Sequence, residues 1–273
     1  MNSSPSFSLK GKKILFSGAT GVLGKEMALY LAQQEASVLL LGRNPKKIND
    51  LRDLISSAGG KAWAYCADVT DEEALQKVAQ IIASQHESLD TLINAAGGNM
   101  PGAVIRPEQT FLDLDSQALR EVLDLNYLGT VFPIKVFLPL LLKNKKGTIL
   151  NISSMAATRP MTRVMGYASA KAAIDNLTKW LAVELTSKYG PSFRVNALAP
   201  GFFLTEQNRT LLTETDGSLT QRGQQIISHT PMNRFGQPED LLGALHWLCS
   251  DASSFVTGTI VTVDGGFSAY AGV

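Results

Sequence analysis

The feature that most constrains this chain is a rhythm. Short apolar runs recur along it: KILFSG from Lys13, SVLLLG from Ser37, AWAYCAD from Ala62, LDTLINAAGG from Leu89, GTILNISS from Gly147, FRVNALAP from Phe193 and GTIVTVDGG from Gly258. Each run is apolar along its length, the pattern of a strand buried on both faces. The segments between them carry apolar residues at helical spacing, over 25–36, 45–60, 71–87, 116–143, 166–189 and 238–250. Pro45 suits a first helical turn and Gly59 a helix stop. Buried strands alternating with helices predict an α/β fold with a doubly wound parallel sheet covered on both faces. No linker or repeat divides the sequence, so residues 1–273 read as a single domain.

One stretch breaks the rhythm. Residues 202–235 separate two elements that a short loop normally joins, and they carry helical spacing and apolar anchors. Insertions of that length are functional or disordered, and this one reads as a helical lid over a site. With 45% hydrophobic and 18% charged residues and a net charge of +1, the chain has no general attraction to nucleic acid or anionic membrane. The start, MNSSPSFSLKGKK, has no apolar core of a secretory signal. No stretch approaches the roughly 18 apolar residues of a membrane span, the nearest being VFLPLLL from Val136. Cys66 and Cys249 are far apart and read as reduced, buried thiols of a cytoplasmic protein. His86, His229 and His246 have no metal-ligand spacing, and no metal is expected.

Between the first run and the first helix lies SGATGVLGK, Ser17 to Lys25, with Gly18, Gly21 and Gly24. The spacing is neither that of a P-loop nor G-x-G-x-x-G. Position says more than spacing, because a helix N-terminus offers free N–H groups to an anion and glycines let backbone approach a pyrophosphate. A tight turn would explain the loop by itself; residues downstream favour a dinucleotide. Asp68 is placed to accept from an adenine amino group. NAAGG, Asn94 to Gly98, sits at the carboxyl end of the fourth run, where open α/β sheets bind ligands. Pro200 and Gly201 end the sixth run in the same crevice, and Thr205 follows within reach of a carboxamide. Where NAD selection would place Asp or Glu after the second strand, this chain has Gly42 and Arg43. A guanidinium can pair with a 2′-phosphate, so NADP(H) is favoured and NAD(H) is the alternative.

The chemistry is signalled by Ser154, Tyr167 and Lys171. Tyr167 and Lys171 are four apart on a predicted helix and so share a face. An ammonium beside a phenol favours phenolate and lowers its pKa from about 10 toward neutrality. With the glycine loop, NAAG, an Asn in the long helix, Ser, Y-x-x-x-K and PG in that order, the chain resembles the short-chain dehydrogenase/reductase family over essentially its whole length. The resemblance implies a Rossmann-like fold with Tyr167 as general acid/base, Lys171 as its modulator and ribose ligand, and Ser154 as carbonyl positioner. It implies that Asn126 holds a relay water. The cofactor contacts expected on this basis are Gly18, Thr20, Gly21, Val22, Leu23, Gly24, Arg43, Asp68, Val69, Asn94, Ala95, Ala96, Gly97, Tyr167, Lys171, Pro200, Gly201 and Thr205. A homotetramer built on the helices around Asn126 and Tyr167 is implied in the same way. Two departures stand out: in the family's T-G-x-x-x-G-x-G loop, Ser17 replaces Thr and Val22 replaces the middle glycine, with Gly21 one residue early. Ala170 stands where Ser commonly precedes the lysine.

Three stretches narrow the substrate: INAAGGNMP, NALAPGFFLTEQNRTLL and FVTGTIVTVDGGFSAYAGV. They are similar to the short-chain-type D-mannonate oxidoreductases, or fructuronate reductases, which implies a sugar-acid ketone and hexuronate catabolism. Such a substrate needs a cation for its carboxylate. MAATRPMTRVMG, between Ser154 and Tyr167, offers Arg159 and Arg163; the lid offers Gln207, Asn208 and Arg209; Asn99 follows NAAGG. The candidate substrate contacts are Asn99, Ser154, Arg163 and Arg209. A keto-gluconate or 3-oxoacyl thioester reductase remains open, as does a dinucleotide sensor without turnover, although a sensor has no need of the Ser, Tyr, Lys and Asn set.

Overall fold

A computed structural model describes residues 6–205 and 209–272. The apolar runs form β1 (Lys13–Ser17), β2 (Ser37–Gly42), β3 (Lys61–Cys66), β4 (Thr91–Asn94), β5 (Gly147–Ile152), β6 (Phe193–Pro200) and β7 (Ile260–Val263). They make one seven-stranded sheet in the order β3-β2-β1-β4-β5-β6-β7, every pair parallel. Phe16 sits in register with Leu40 on one side and Ile93 on the other. The chain winds outward from β1 to β3 and then restarts at β4 on the opposite side of β1. That reversal opens a crevice at the carboxyl ends of β1 and β4, where sheets of this kind take their ligands.

The helices are α1 (Val22–Gln33), α2 (Pro45–Ser57), α3 (Glu72–His86), α4 (Ser116–Leu123), α5 (Gly129–Leu142), α6 (Met165–Tyr189), α7 (Arg209–Leu212), α8 (Gln221–Ser228) and α9 (Leu242–Cys249). Two cores explain why the strands are apolar throughout. Phe16, Leu40, Ile93 and Leu198 pack with Met27 of α1 and Leu245 of α9 on one face. Leu15, Leu39, Leu92 and Val195 pack with Leu75, Phe137 and Leu181 of α3, α5 and α6 on the other.

The helix expected over 116–143 is interrupted. A π turn, Asp124–Leu128, lies between α4 and α5. Its cause is local: the Asn126 amide donates to the Val122 carbonyl four residues back at 2.8 Å. A side chain inserted into the backbone ladder in this way widens the turn. The stretch Ser116–Leu142 also corrects the expectation that no segment is apolar enough to span a membrane. It holds an 18-residue window of mean hydropathy 1.6. α5 packs its Phe137 and Leu141 into the core, so this is a core helix.

In the segment 202–235, Phe203 bridges to Gly236 and Thr213 to Leu219. α7 and α8 close over a small cluster of Leu212, Ile226 and Phe235. Gln207 and Asn208 lie outside the described residues. Cys249 is buried as expected, and burial pushes its thiol up to about 12. Cys66 was expected to be buried as well but is exposed, because β3 is an edge strand of the sheet.

Candidate active site

The glycine loop turns at the carboxyl end of β1. Gly18 has φ +77°, and a Cβ there would stand 2.4 Å from the backbone of Ala95 and Ala96. Only glycine fits. A Cβ on Gly24 would meet the Gly18 carbonyl at 2.3 Å, so this glycine seats α1 against the turn. Gly21 answers to a different demand: its N–H donates to the Gly18 carbonyl at 3.1 Å, and it begins α1 without any side-chain cap. The first turn of α1, with Val22 at the family's middle-glycine position, is thereby left with its N–H groups for an anion. Gly18, Gly21 to Gly24, Ala95, Gly97, Pro200, Gly201 and Thr205 line one cleft of about 340 Å³ together with Ser154, Tyr167 and Lys171. An uncapped helix end and backbone stripped of side chains suit a pyrophosphate.

Other expected cofactor residues border the cleft rather than line it. Thr20 sits partly buried on the glycine turn. Val69 is buried in the core, and Ala96 packs against that core. Asn94 uses its amide nitrogen on Asn151 at 2.9 Å. Asp68 accepts from the backbone and hydroxyl of Thr70 and lies 3.8 Å from the Arg43 guanidinium. Arg43 is exposed beside Gly42, where a Cβ would stand 2.9 Å from Ile48, leaving little space for the acid of an NAD-selective strand end.

α6 carries Tyr167 and Lys171 against the end of β5. The Lys171 ammonium, buried, donates to the Ile152 carbonyl at 2.8 Å and lies 5.5 Å from the Tyr167 ring centre. The Ser154 hydroxyl bonds with that of Tyr167. Burial raises the Tyr167 phenol above its usual value, and the Ser154 bond opposes the rise. Burial also pulls Lys171 from 10.5 to about 8, opposed by the Asp175 charge. Desolvation dominates the pair, where the sequence predicted that lysine would lower the tyrosine. Asn126, fully buried, bonds both ways with Gly98, accepting from its N–H at 3.1 Å and donating to its carbonyl at 2.7 Å. The π turn thus ties α4 and α5 to the NAAGG corner beside Lys171.

The candidate substrate residues are dispersed. Asn99 is exposed and caps Met100. Arg209 is exposed at the start of α7. The Arg159 guanidinium is engaged elsewhere, donating to the Ser268 carbonyl. Arg163 is exposed at φ +75°, four residues before Tyr167. Its charge repels that of Arg222, a half-buried residue of α8 that the sequence did not single out. No acidic partner is paired with either arginine among the described residues.

A family model described as enoyl-(acyl carrier protein) reductase matches residues 18–268. The chain belongs to the short-chain dehydrogenase/reductase family. It is 44% identical over 274 aligned residues to an uncharacterised oxidoreductase, UxuB, of Bacillus subtilis, covering 97% of this chain and 98% of that one. Among solved structures, a Haemophilus influenzae protein provisionally described as a D-mannonate oxidoreductase, with NAD bound, superposes with a TM-score of 0.92 at 42% identity, covering 97% and 98% of the two chains. A Beutenbergia cavernae protein, provisionally an NAD(P)-dependent gluconate 5-dehydrogenase with NADP at low occupancy, gives 0.84 at 33% identity, covering 97% and 100%. As a short-chain dehydrogenase/reductase, the chain is an oxidoreductase that uses a nicotinamide dinucleotide.

Proposed function

We propose that the chain interconverts a sugar-acid ketone and its alcohol, D-fructuronate and D-mannonate, with NADP(H) preferred over NAD(H). The observation that carries this reading is that the Arg163 and Arg222 charges act on each other, one from the loop before α6 and one from α8, without acidic partners among the described residues. Like charges repel unless an anion joins them, and a substrate carboxylate is such an anion. Similarity to the Haemophilus protein supports the same substrate. Arg43 beside Gly42 supports NADP(H), while the NAD in that relative supports the alternative.

The bound nicotinamide would supply or accept the hydride. In this reading Tyr167 gives a proton to the developing alkoxide in reduction and removes it in oxidation. Ser154 holds the carbonyl oxygen by the hydroxyl that now bonds Tyr167. Lys171 offers the ammonium that favours phenolate, and Asn126 fixes the corner along which protons return. Residues 202–235 act as a lid on one domain. The same reading places the protein in the cytoplasm as a homotetramer, a state that light scattering would check. The exposed Trp180 and Val183 of α6 are available for such contacts.

Turnover of D-fructuronate and D-mannonate by purified protein tests the proposal, with Arg163→Ala and Arg222→Ala each expected to raise KM about tenfold or more and leave cofactor affinity intact. Activity on 5-keto-gluconate alone would sink the mannonate assignment and favour the gluconate reading, which the Beutenbergia relative suggests. In the same assay Arg43→Ala should weaken NADPH more than NADH; equal effects would remove the NADP(H) preference.

A further inference from the structure

The last three residues leading β5 into the site are each held by a different turn of one helix. The Ile152 carbonyl takes a hydrogen bond from Lys171 at 2.8 Å. The Ser154 hydroxyl meets Tyr167. Between them, the Ser153 hydroxyl donates to Asp175 at 2.5 Å. Tyr167, Lys171 and Asp175 stand at i, i+4 and i+8 of α6, so they form one stripe along the helix. Tyr167 and Lys171 are absorbed by the proposed chemistry, but Asp175 is not.

Asp175 is an unusual residue for its position. It is 8% exposed, and its partner Ser153 is 2% exposed. Buried carboxylates are costly and persist where a partner or a task holds them. Lys171 and Lys179, one turn away on either side along α6, are the charged groups that reach it. Just past β5 it meets the Ser153 hydroxyl, and no ionisable group of β6 or α4 acts on it among the described residues. An ordinary core would place a hydrocarbon here.

We propose that Asp175 is a positioning residue of the acid–base pair, locking the strand end that bears Ser154 through Ser153 and supplying the anion that keeps Lys171 an ammonium. The two tasks reinforce each other. Ser153 neighbours Ser154 on the chain, so the latch fixes how the Ser154 hydroxyl is presented to Tyr167. Burial pushes the Asp175 carboxyl up as well, opposed by Ser153, Lys179 and Lys171, and in its charged form it offsets the burial that pulls protons from Lys171. An ammonium at Lys171 in turn favours phenolate at Tyr167. Asp175 therefore acts on the reacting tyrosine through a neighbour and touches neither substrate nor cofactor.

The inference rests on the reading of Tyr167 as the acid–base residue, and its test needs no substrate. Tyrosinate absorbance is followed against pH in the NADP-loaded protein, with Tyr167→Phe subtracted to isolate the one phenol. Asp175→Asn keeps the shape and loses the charge; Tyr167 should then ionise at higher pH, with about tenfold less phenolate at a given alkaline pH. Ser153→Ala should shift the same way by a smaller factor, because the Ser153 bond helps Asp175 stay ionised. Asp175→Glu should recover part of the loss, and Ser153→Ala carries the test if Asp175→Asn does not fold. Variants that lose thermal stability but titrate like the parent would overturn the proposal, reducing Asp175 to a structural role. A parent protein whose Tyr167 shows no titration at all would overturn both this proposal and the acid–base reading. Failure to turn over D-fructuronate, by contrast, touches only the substrate assignment.

Discussion

Lys171 shows at single-residue scale how this site opposes the stability of the molecule that holds it. Its ammonium is buried and pulled from 10.5 to about 8, which costs the folded state roughly 3 kcal/mol at neutral pH. Lys171→Met removes that cost but orphans the Ile152 carbonyl, a loss of about 1 kcal/mol. The variant should therefore be more stable than its parent by about 2 kcal/mol at pH 7 while losing turnover, as measured by denaturant unfolding. The lysine's folded value is depressed, so between about pH 8 and 10.5 the unfolded chain keeps a proton that the folded chain has shed. Parent stability rises with pH across that window and the variant's advantage shrinks. A pH-independent difference would refute the account. Tyr167, Lys171 and Gly18 stood out in the sequence because each position admits so few residue types: the proposed acid–base work calls for the first two, and φ +77° against backbone at 2.4 Å demands the third. Asp175 and Arg222 were not, because an acid or an arginine on a helix is ordinary until its neighbours are known.

At the scale of elements, the strands were readable and the helix 116–143 was only half so. Double-sided burial writes itself into composition, and all seven apolar runs became strands in one parallel sheet. The π turn leaves almost no such trace. It depends on one amide inserted between Val122 and Gly98, elements 24 residues apart in sequence by the nearer pair. The one available hint was Asn126, a residue of low helix propensity in the middle of the expected helix. Asn126→Ala would leave the half-buried N–H and carbonyl of Gly98 without that partner, a loss of about 1–2 kcal/mol. Hydrogen exchange should speed at Gly98 and across 124–129 together, since one side chain serves both. Protection lost at only one of the two would show that they are not coupled through Asn126.

On the scale of the whole molecule, the carboxyl-terminal segment gathers parts that the sequence keeps far apart. Asp264 caps Gly266 and Ser268. The Met232 N–H, from the 202–235 insertion, donates to the Gly265 carbonyl at 3.1 Å, and Phe267 packs edge-on against Phe202 at 5.2 Å. Arg159, from the loop between Ser154 and Tyr167, closes on Ser268. Arg159 was a candidate for the substrate carboxylate, and its reach across the chain could not be read from local sequence. Arg159→Ala should raise KM for the proposed sugar acid about three- to tenfold and change kcat little, because it loosens the loop without removing a reacting group. Faster amide exchange over 155–164 would accompany it; an unchanged KM would free the loop from any dependence on Ser268. The clasp also has a practical meaning for anyone handling the protein. A purification handle fused soon after Ser268 would hang close to the hook that holds the loop bearing Arg159.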